Sequence, residues 1–286
     1  MDQATTLREM VDKDREEPAR RIQVVAVTSG KGGVGKTNVV VNLALAMSLT
    51  GKRVLVLDAD LGLGNLDVLL GLVPQYTLEH VLSGEKRLSD VIVRGPGGMM
   101  ILPASSGVQD LTALTSEQQV LLQEELEQAS NEVDVLLIDT GAGISSNVLF
   151  FSVAAQEILV VVSPEPTSIT DAYALMKVLS HRFSERHFRL LVNMARSQRE
   201  AREVYRKIGA VADRFLDISI DYVGHIPLDD HLQMAVCKQR PVVDAFPHAP
   251  ASQGFHRLAT AVRNWEPSIS PKGSVQFFWQ KLVTQT

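Results

Sequence analysis

Short runs rich in Val, Ile and Leu alternate with stretches of helical period. This predicts a single doubly wound α/β fold, a mostly parallel sheet with helices on both faces. A glycine-rich loop directly after the first run, and acids ending two others, mark where such a sheet carries its chemistry. The strands are expected at residues 22–28, 53–58, 99–103, 133–139, 157–163, 188–193 and 222–226. Helical spacing is clearest at residues 37–49, 116–130, 168–179 and 198–212. Pro247 and Pro250 bracket a loop, and Pro267 and Pro271 mark a linker. Three segments follow: a charged, mobile leader at 1–21, a nucleotide-binding domain at 22–266, and a linker with a terminal helix at 267–286.

The composition narrows the function. Apolar residues make up 45% of the 286 and charged residues 21%, a balance that excludes disordered and fibrous classes. The formal charge of −5 gives no overall nucleic-acid footprint. Cys237 is the single cysteine, so paired-thiolate zinc and iron–sulfur sites are excluded. The leader lacks the apolar centre of a signal peptide, and no run reaches the roughly 18 apolar residues of a membrane span. A cytoplasmic protein is expected.

Gly30-Lys31-Gly32-Gly33-Val34-Gly35-Lys36-Thr37 stands between the first strand and the first helix, the context a phosphate-binding loop requires. Its glycines let successive N–H groups face phosphate oxygens, and the helix N-terminus adds its positive end. Lys36 is placed to reach the β- and γ-phosphates, and the Thr37 hydroxyl to bind Mg²⁺. Lys31 adds a second cation at the loop's mouth. Asp58 and Asp60 end one strand two residues apart, and Asp139 ends another. Acids at such tips can hold Mg²⁺ or orient an attacking water.

These residues resemble those of the MinD/ParA family of ATPases. Gly30–Thr37 with Lys31 resembles its deviant Walker A loop. The segment Asp58-Ala59-Asp60-Leu61-Gly62-Leu63-Gly64-Asn65-Leu66-Asp67 is similar to its switch I, and Asp139-Thr140-Gly141-Ala142-Gly143 to its switch II. Gly141 stands where MinD has a proline. The resemblance implies an ATP-dependent homodimer with ATP or ADP and Mg²⁺ at the interface, held by the loop through Asn38. Lys31 would reach across to the partner's phosphates, and Asp60 would polarise the hydrolytic water. Thr37, Asp58 and Asp139 would support Mg²⁺, and Gly143 would sense the γ-phosphate. Asn193 matches the family's adenine-reading Asn, and Pro227 to Asp229 the loop beside the base. Glu165 and Asp171 fall at ribose- or dimer-facing acids.

Asp2-Gln3-Ala4-Thr5-Thr6-Leu7-Arg8 resembles the N-terminal activator motif of the family's flagellar branch, the FlhG (FleN) group. Asp2, Gln3, Ala4, Leu7 and Arg8 would then fold on FlhF, an SRP-type GTPase, and stimulate it. That resemblance also implies control of flagellar number and placement, a FleQ/FlrA-type transcription activator as partner and, in some members, flagellar C-ring proteins.

Two segments stay open. Val275, Phe278, Trp279, Leu282 and Val283 share one helical face, suiting either a docked helix or an amphipathic helix at the inner face of the cell membrane. The family favours the membrane, reversibly and at the cell pole in some members. Between Arg182 and Lys207, eight Lys or Arg oppose three Glu. This suits a solvated face, a docking surface for an acidic partner, or the DNA contact of a ParA-type partition ATPase. Direct DNA binding is the disfavoured alternative, because the activator leader points elsewhere.

Overall fold

The computed structural model describes residues 22–61, 64–104, 114–129 and 132–265. The expectations for Asp2, Gln3, Ala4, Leu7 and Arg8, for Gly62 and Leu63, and for Val275, Phe278, Trp279 and Leu282 fall outside these residues.

In chain order the elements are β1 (Gln23–Ser29), α1 (Lys36–Ser48), β2 (Val54–Ala59), α2 (Leu66–Leu70), α3 (Leu78–Leu82), α4 (Leu88–Val91), β3 (Val93–Arg94) and β4 (Met100–Leu102). There follow α5 (Ser116–Ala129), β5 (Val135–Ala142), α6 (Ser146–Ala154), β6 (Glu157–Val162), α7 (Pro166–Phe183), β7 (His187–Ala195) and α8 (Gln198–Phe215). The described chain ends with β8 (Ser219–Pro227), α9 (Asp230–Cys237), α10 (Val242–Ala245) and α11 (Pro250–Arg263). The sheet order is β3-β4-β2-β5-β1-β6-β7-β8, parallel except for the short β3–β4 pair.

Both faces of the central strands are covered, which is why they read as unbroken apolar runs. Val25, Val27, Val56, Leu137 and Val161 pack under α1 and α11, while Val24, Ala26, Leu57 and Ile138 pack on the opposite side with α3 to α6. A third cluster joins β6 and β7 to α7 and α8. Helix α1 is buried from Lys36 through Met47 apart from Thr37 and Asn38, as a helix between the sheet and another helix must be. Its Asn42 is fully buried and satisfied: Oδ1 accepts the Val243 N–H at 3.1 Å, and Nδ2 donates to the Asn38 carbonyl at 2.8 Å.

The strand order reverses about β1, which has β5 on one side and β6 on the other, both parallel to it. Ligands in open parallel sheets bind beyond the strand ends at such a point. At the opposite edge, Gln23 Nε2 donates to the Val262 carbonyl at 2.9 Å. The start of β1 and the end of α11 therefore lie side by side.

The structure adds to the sequence expectations in definite ways. The four-to-five-residue helices α2, α3 and α4 are too short to show a period. Helix α6 is apolar on nearly every side and shows none. Pro250 closes the expected loop by opening α11 as its first residue. The basic stretch does not form one face: Arg189 is 14% exposed and pairs with Glu157 at 3.0 Å and Asp221 at 2.7 Å, and Arg186 pairs with Asp217 at 3.3 Å. Burial of Arg189 behind two acids takes it out of any docking surface.

Candidate nucleotide site

The loop from Gly30 to Lys36 owes its shape to its glycines. A Cβ on Gly30 would fall 2.1 Å from the Asp171 carbonyl carbon, so the loop lies against the backbone of α7. Gly33 and Gly35 have φ of +81° and +80°, a left-handed geometry open to glycine. Gly35 also forms the N-cap of α1, with no side-chain cap and no acid in the first turn. The first N–H groups of the helix are thus left for an anion rather than for the chain's own oxygens. Thr37 and Asn38 stand half-buried in that first turn.

Behind the loop three acids meet one lysine. Asp58 and Asp139 are register partners on β2 and β5, exposed by only 2% and 1%. Lys36 Nζ donates to Asp139 Oδ1, and Thr37 lies near enough to the same carboxylate to lower its pKa. Asp58 accepts the N–H groups of Asp60 at 3.2 Å and Leu66 at 3.4 Å. A Cβ on Gly64 would come within 2.9 Å of Asp58 Oδ2, so switch I closes directly over this carboxylate. Burial, and then the Asp139 charge, push the Asp58 pKa up to about 8, and burial raises Asp139 as well despite Lys36. Two buried carboxylates beside one ammonium would carry surplus negative charge if both ionised, so they take up a proton or a cation. With the Thr37 hydroxyl they fit a Mg²⁺ ion, which takes one or two carboxylates and completes its shell with phosphates and water. Among the described residues no group of three or more His, Cys, Asp or Glu could form an all-protein cage.

Asp60 is half-buried beside switch II, its Oδ1 3.5 Å from where a Gly141 Cβ would stand. That contact and the 3.4 Å contact to Val148 are ordinary packing, so a side chain fits at position 141. Gly143 has φ of +89°, and its N–H donates to the Ser29 carbonyl at 2.9 Å. It must leave that carbonyl before it can donate to a phosphate.

Lys31 lies at the mouth of the loop, and its Nζ donates to Glu165 Oε2 and to Thr167 Oγ1, both at 2.9 Å. The sequence assigned Glu165 to the nucleotide or dimer. The structure gives it to Lys31 of its own chain, with Thr167, a partner that sequence reasoning missed. Nothing in the Pro164-Glu165-Pro166-Thr167 run itself signals this contact.

On the far side of the loop, Asn193 is 2% exposed, and its Nδ2 donates to the Val34 carbonyl at 2.8 Å. The Leu228 N–H donates to the Ala195 carbonyl at 2.9 Å, and Pro227 is the register partner of Ala195, two residues beyond Asn193 on β7. Asp229 is only 5% exposed and fully engaged: Oδ1 accepts the His231 N–H at 3.0 Å, and Oδ2 the Ala251 N–H at 2.9 Å. Burial alone would raise its pKa, but these bonds hold it below the usual carboxylate value. Asp229 thus caps α9 and ties it to α11.

The sheet order, the loop and the acids define a P-loop nucleotide hydrolase. The AAA domain family matches residues 22–189. The antiactivator FleN of Pseudomonas aeruginosa is 51% identical over 262 residues, covering 92% of this chain and 94% of its own. The flagellum site-determining protein YlxH of Helicobacter pylori is 33% identical over 263 residues, covering 91% and 89%. The septum site-determining protein MinD of Pyrococcus horikoshii, solved with Mg-ADP, superposes with a TM-score of 0.66 at 26% identity, covering 85% and 96%. The chain belongs to the MinD/ParA family of P-loop ATPases, in its FlhG/FleN-like branch.

Proposed function

We propose that this ATPase is a dimeric switch that sets flagellar number and placement. The observation that carries the proposal is the convergence of Lys36, Asp58, Asp60 and Asp139 behind a loop whose extra lysine, Lys31, stands at its mouth. The FleN and YlxH likenesses support the flagellar role, and the Mg-ADP-bound MinD supports the nucleotide and its ion.

The residues divide the work. Lys36 exchanges Asp139 for phosphate oxygens, and the N–H groups from Gly30 to Asn38 wrap the rest. When bound, Mg²⁺ neutralises charge developing on the phosphates; Thr37, Asp58 and Asp139 are the groups that would hold it. Asp60 accepts a hydrogen bond from the attacking water and fixes its direction. Lys31 leaves Glu165 and Thr167 to lie against the partner protomer's nucleotide. Gly143 trades the Ser29 carbonyl for the γ-phosphate, so switch II reports whether that phosphate is present. Asn193 reads the base, with Pro227 beside it.

Residues 1–21 stimulate an FlhF-type GTPase, the domain at 22–266 is the switch, and residues 267–286 bring the dimer to the inner face of the cell membrane. A FleQ/FlrA-type activator, and in some members C-ring proteins, receive the output. No described helix is long and apolar enough to cross a membrane.

The test is the mass in solution with ADP, with ATP, and with ATP on an Asp60→Ala variant. A dimer trapped by ATP in the variant is expected. A monomer under all three conditions rejects the switch.

A further inference from the structure

At the edge opposite the nucleotide loop lies a second concavity. Its first lobe, about 350 Å³, is lined by Ser48 at the end of α1, by Lys52 and Arg53 leading into β2, by Arg94 of β3, and by Gly98. A second lobe of about 330 Å³ adjoins it and shares Arg94 and Glu132.

Three features make the first lobe an anion site. The first is charge. Arg53 is satisfied by Asp134 at 3.2 Å, but among the described residues no acid pairs with Lys52 or Arg94. Glu132 is the one acid on the wall, against three cations. The second is an orphan: Ser48 Oγ is buried without a hydrogen-bond partner, a state that needs an explanation in a well-packed fold. The third is room. Gly51 and Gly98 have φ of +86° and +77°, and a Cβ on either would meet nothing within 4 Å. Arg94 Nη1 donates to the Gly98 carbonyl at 3.3 Å and keeps its other N–H groups. Two cations without an acid partner, an unpaired hydroxyl and glycine walls are the groups that hold a compact oxyanion.

We propose that this cleft binds a phosphate group, carried by a free phosphomonoester or by a lipid headgroup. Leu49, the residue after Ser48, stands 60% exposed.

The site is separate from the nucleotide loop, so the full chain is tested saturated with Mg²⁺ and ADP. Equilibrium dialysis against radiolabelled inorganic phosphate reads free phosphate. Sedimentation with vesicles of phosphatidylglycerol in phosphatidylcholine, against phosphatidylcholine alone, reads the headgroup. Lys52→Ala combined with Arg94→Ala should lower retention in at least one arm about tenfold. The arm that falls identifies the source. Ser48→Ala should melt no lower than the parent without phosphate, since it removes an unsatisfied hydroxyl, and should lose the phosphate-induced rise in melting temperature. ATP turnover is the control for folding, as none of these residues touches the loop. Equal retention and equal sedimentation by parent and double variant overturn the proposal.

Discussion

Lys31 and Glu165 form an ion pair within one protomer, 2.9 Å apart, with side chains 37% and 65% exposed. An exposed pair of this kind contributes about 0–1 kcal/mol. The lysine proposed to reach across the dimer is therefore parked, not locked. Glu165→Gln removes the charge partner, leaving Thr167 and the lysine; since each dimer frees two such pairs, it should lower the protein concentration needed for ATP-dependent pairing by up to about thirtyfold. Lys31→Ala should abolish pairing. Light scattering across a dilution series reads both, and an unaltered midpoint in Lys31→Ala would remove the trans-lysine mechanism.

Gly30 and Gly141 both belong to signature segments, yet the structure asks different things of them. A methyl at position 30 meets the Asp171 backbone at 2.1 Å, which only a shift of α7 can relieve. Gly30→Ala should therefore cost about 1–3 kcal/mol of stability and weaken nucleotide binding. A methyl at 141 meets its neighbours at 3.4 Å and 3.5 Å. Gly141→Ala should stay within about 0.5 kcal/mol of the parent. Thermal melts of the two variants side by side decide the point; equal melting would show that loop and helix do not bear on each other as described.

The buried acid pair predicts a pH dependence with a definite sign. Asp58 is held at about 8 in the fold against an ordinary value of 3.8. The fold binds this proton more tightly than the unfolded chain does. Its contribution is complete below about pH 4 and declines as pH rises towards 8. In metal-free buffer, Asp58→Asn should therefore gain melting temperature over the parent as pH is raised from about 5 to 9. Mg²⁺ with nucleotide should flatten the parent's slope, because the cation replaces the proton. Parallel curves for the two proteins would contradict the assigned pairing.

The loop, the central strands and the three acids were legible in the sequence because each rests on local chemistry. The glycines are read from their spacing, the strands from unbroken Val/Ile/Leu runs, and the acids from their place at strand ends. What was not legible depends on long-range packing. Helices α2 to α4 are shorter than two turns, and α6 is buried on nearly every side, so neither shows a period. The Lys31–Thr167 bond spans 136 residues, and nothing local announces it. The same holds for Asp229: its motif position suggested the base, while its carboxylate is consumed by the backbone of α9 and α11. A residue's type can be read from the chain, but whether its polar atoms remain free for a ligand depends on what folds against it.

Asn193 shows that distinction within one side chain. Its Nδ2 is committed to the Val34 carbonyl at 2.8 Å, which ties the end of β7 to the phosphate loop. Two effects of Asn193→Ala should separate. Loss of this buried bond leaves the Val34 carbonyl without its partner and should cost about 1–3 kcal/mol of stability with or without ligand. Loss of base recognition should weaken ADP but leave Mg-pyrophosphate, which has no base, bound as in the parent. Calorimetric titration of both ligands well below the melting temperature distinguishes them. If pyrophosphate weakens as much as ADP, Asn193 acts only by shaping the loop, and base reading must lie elsewhere on the β7–β8 edge.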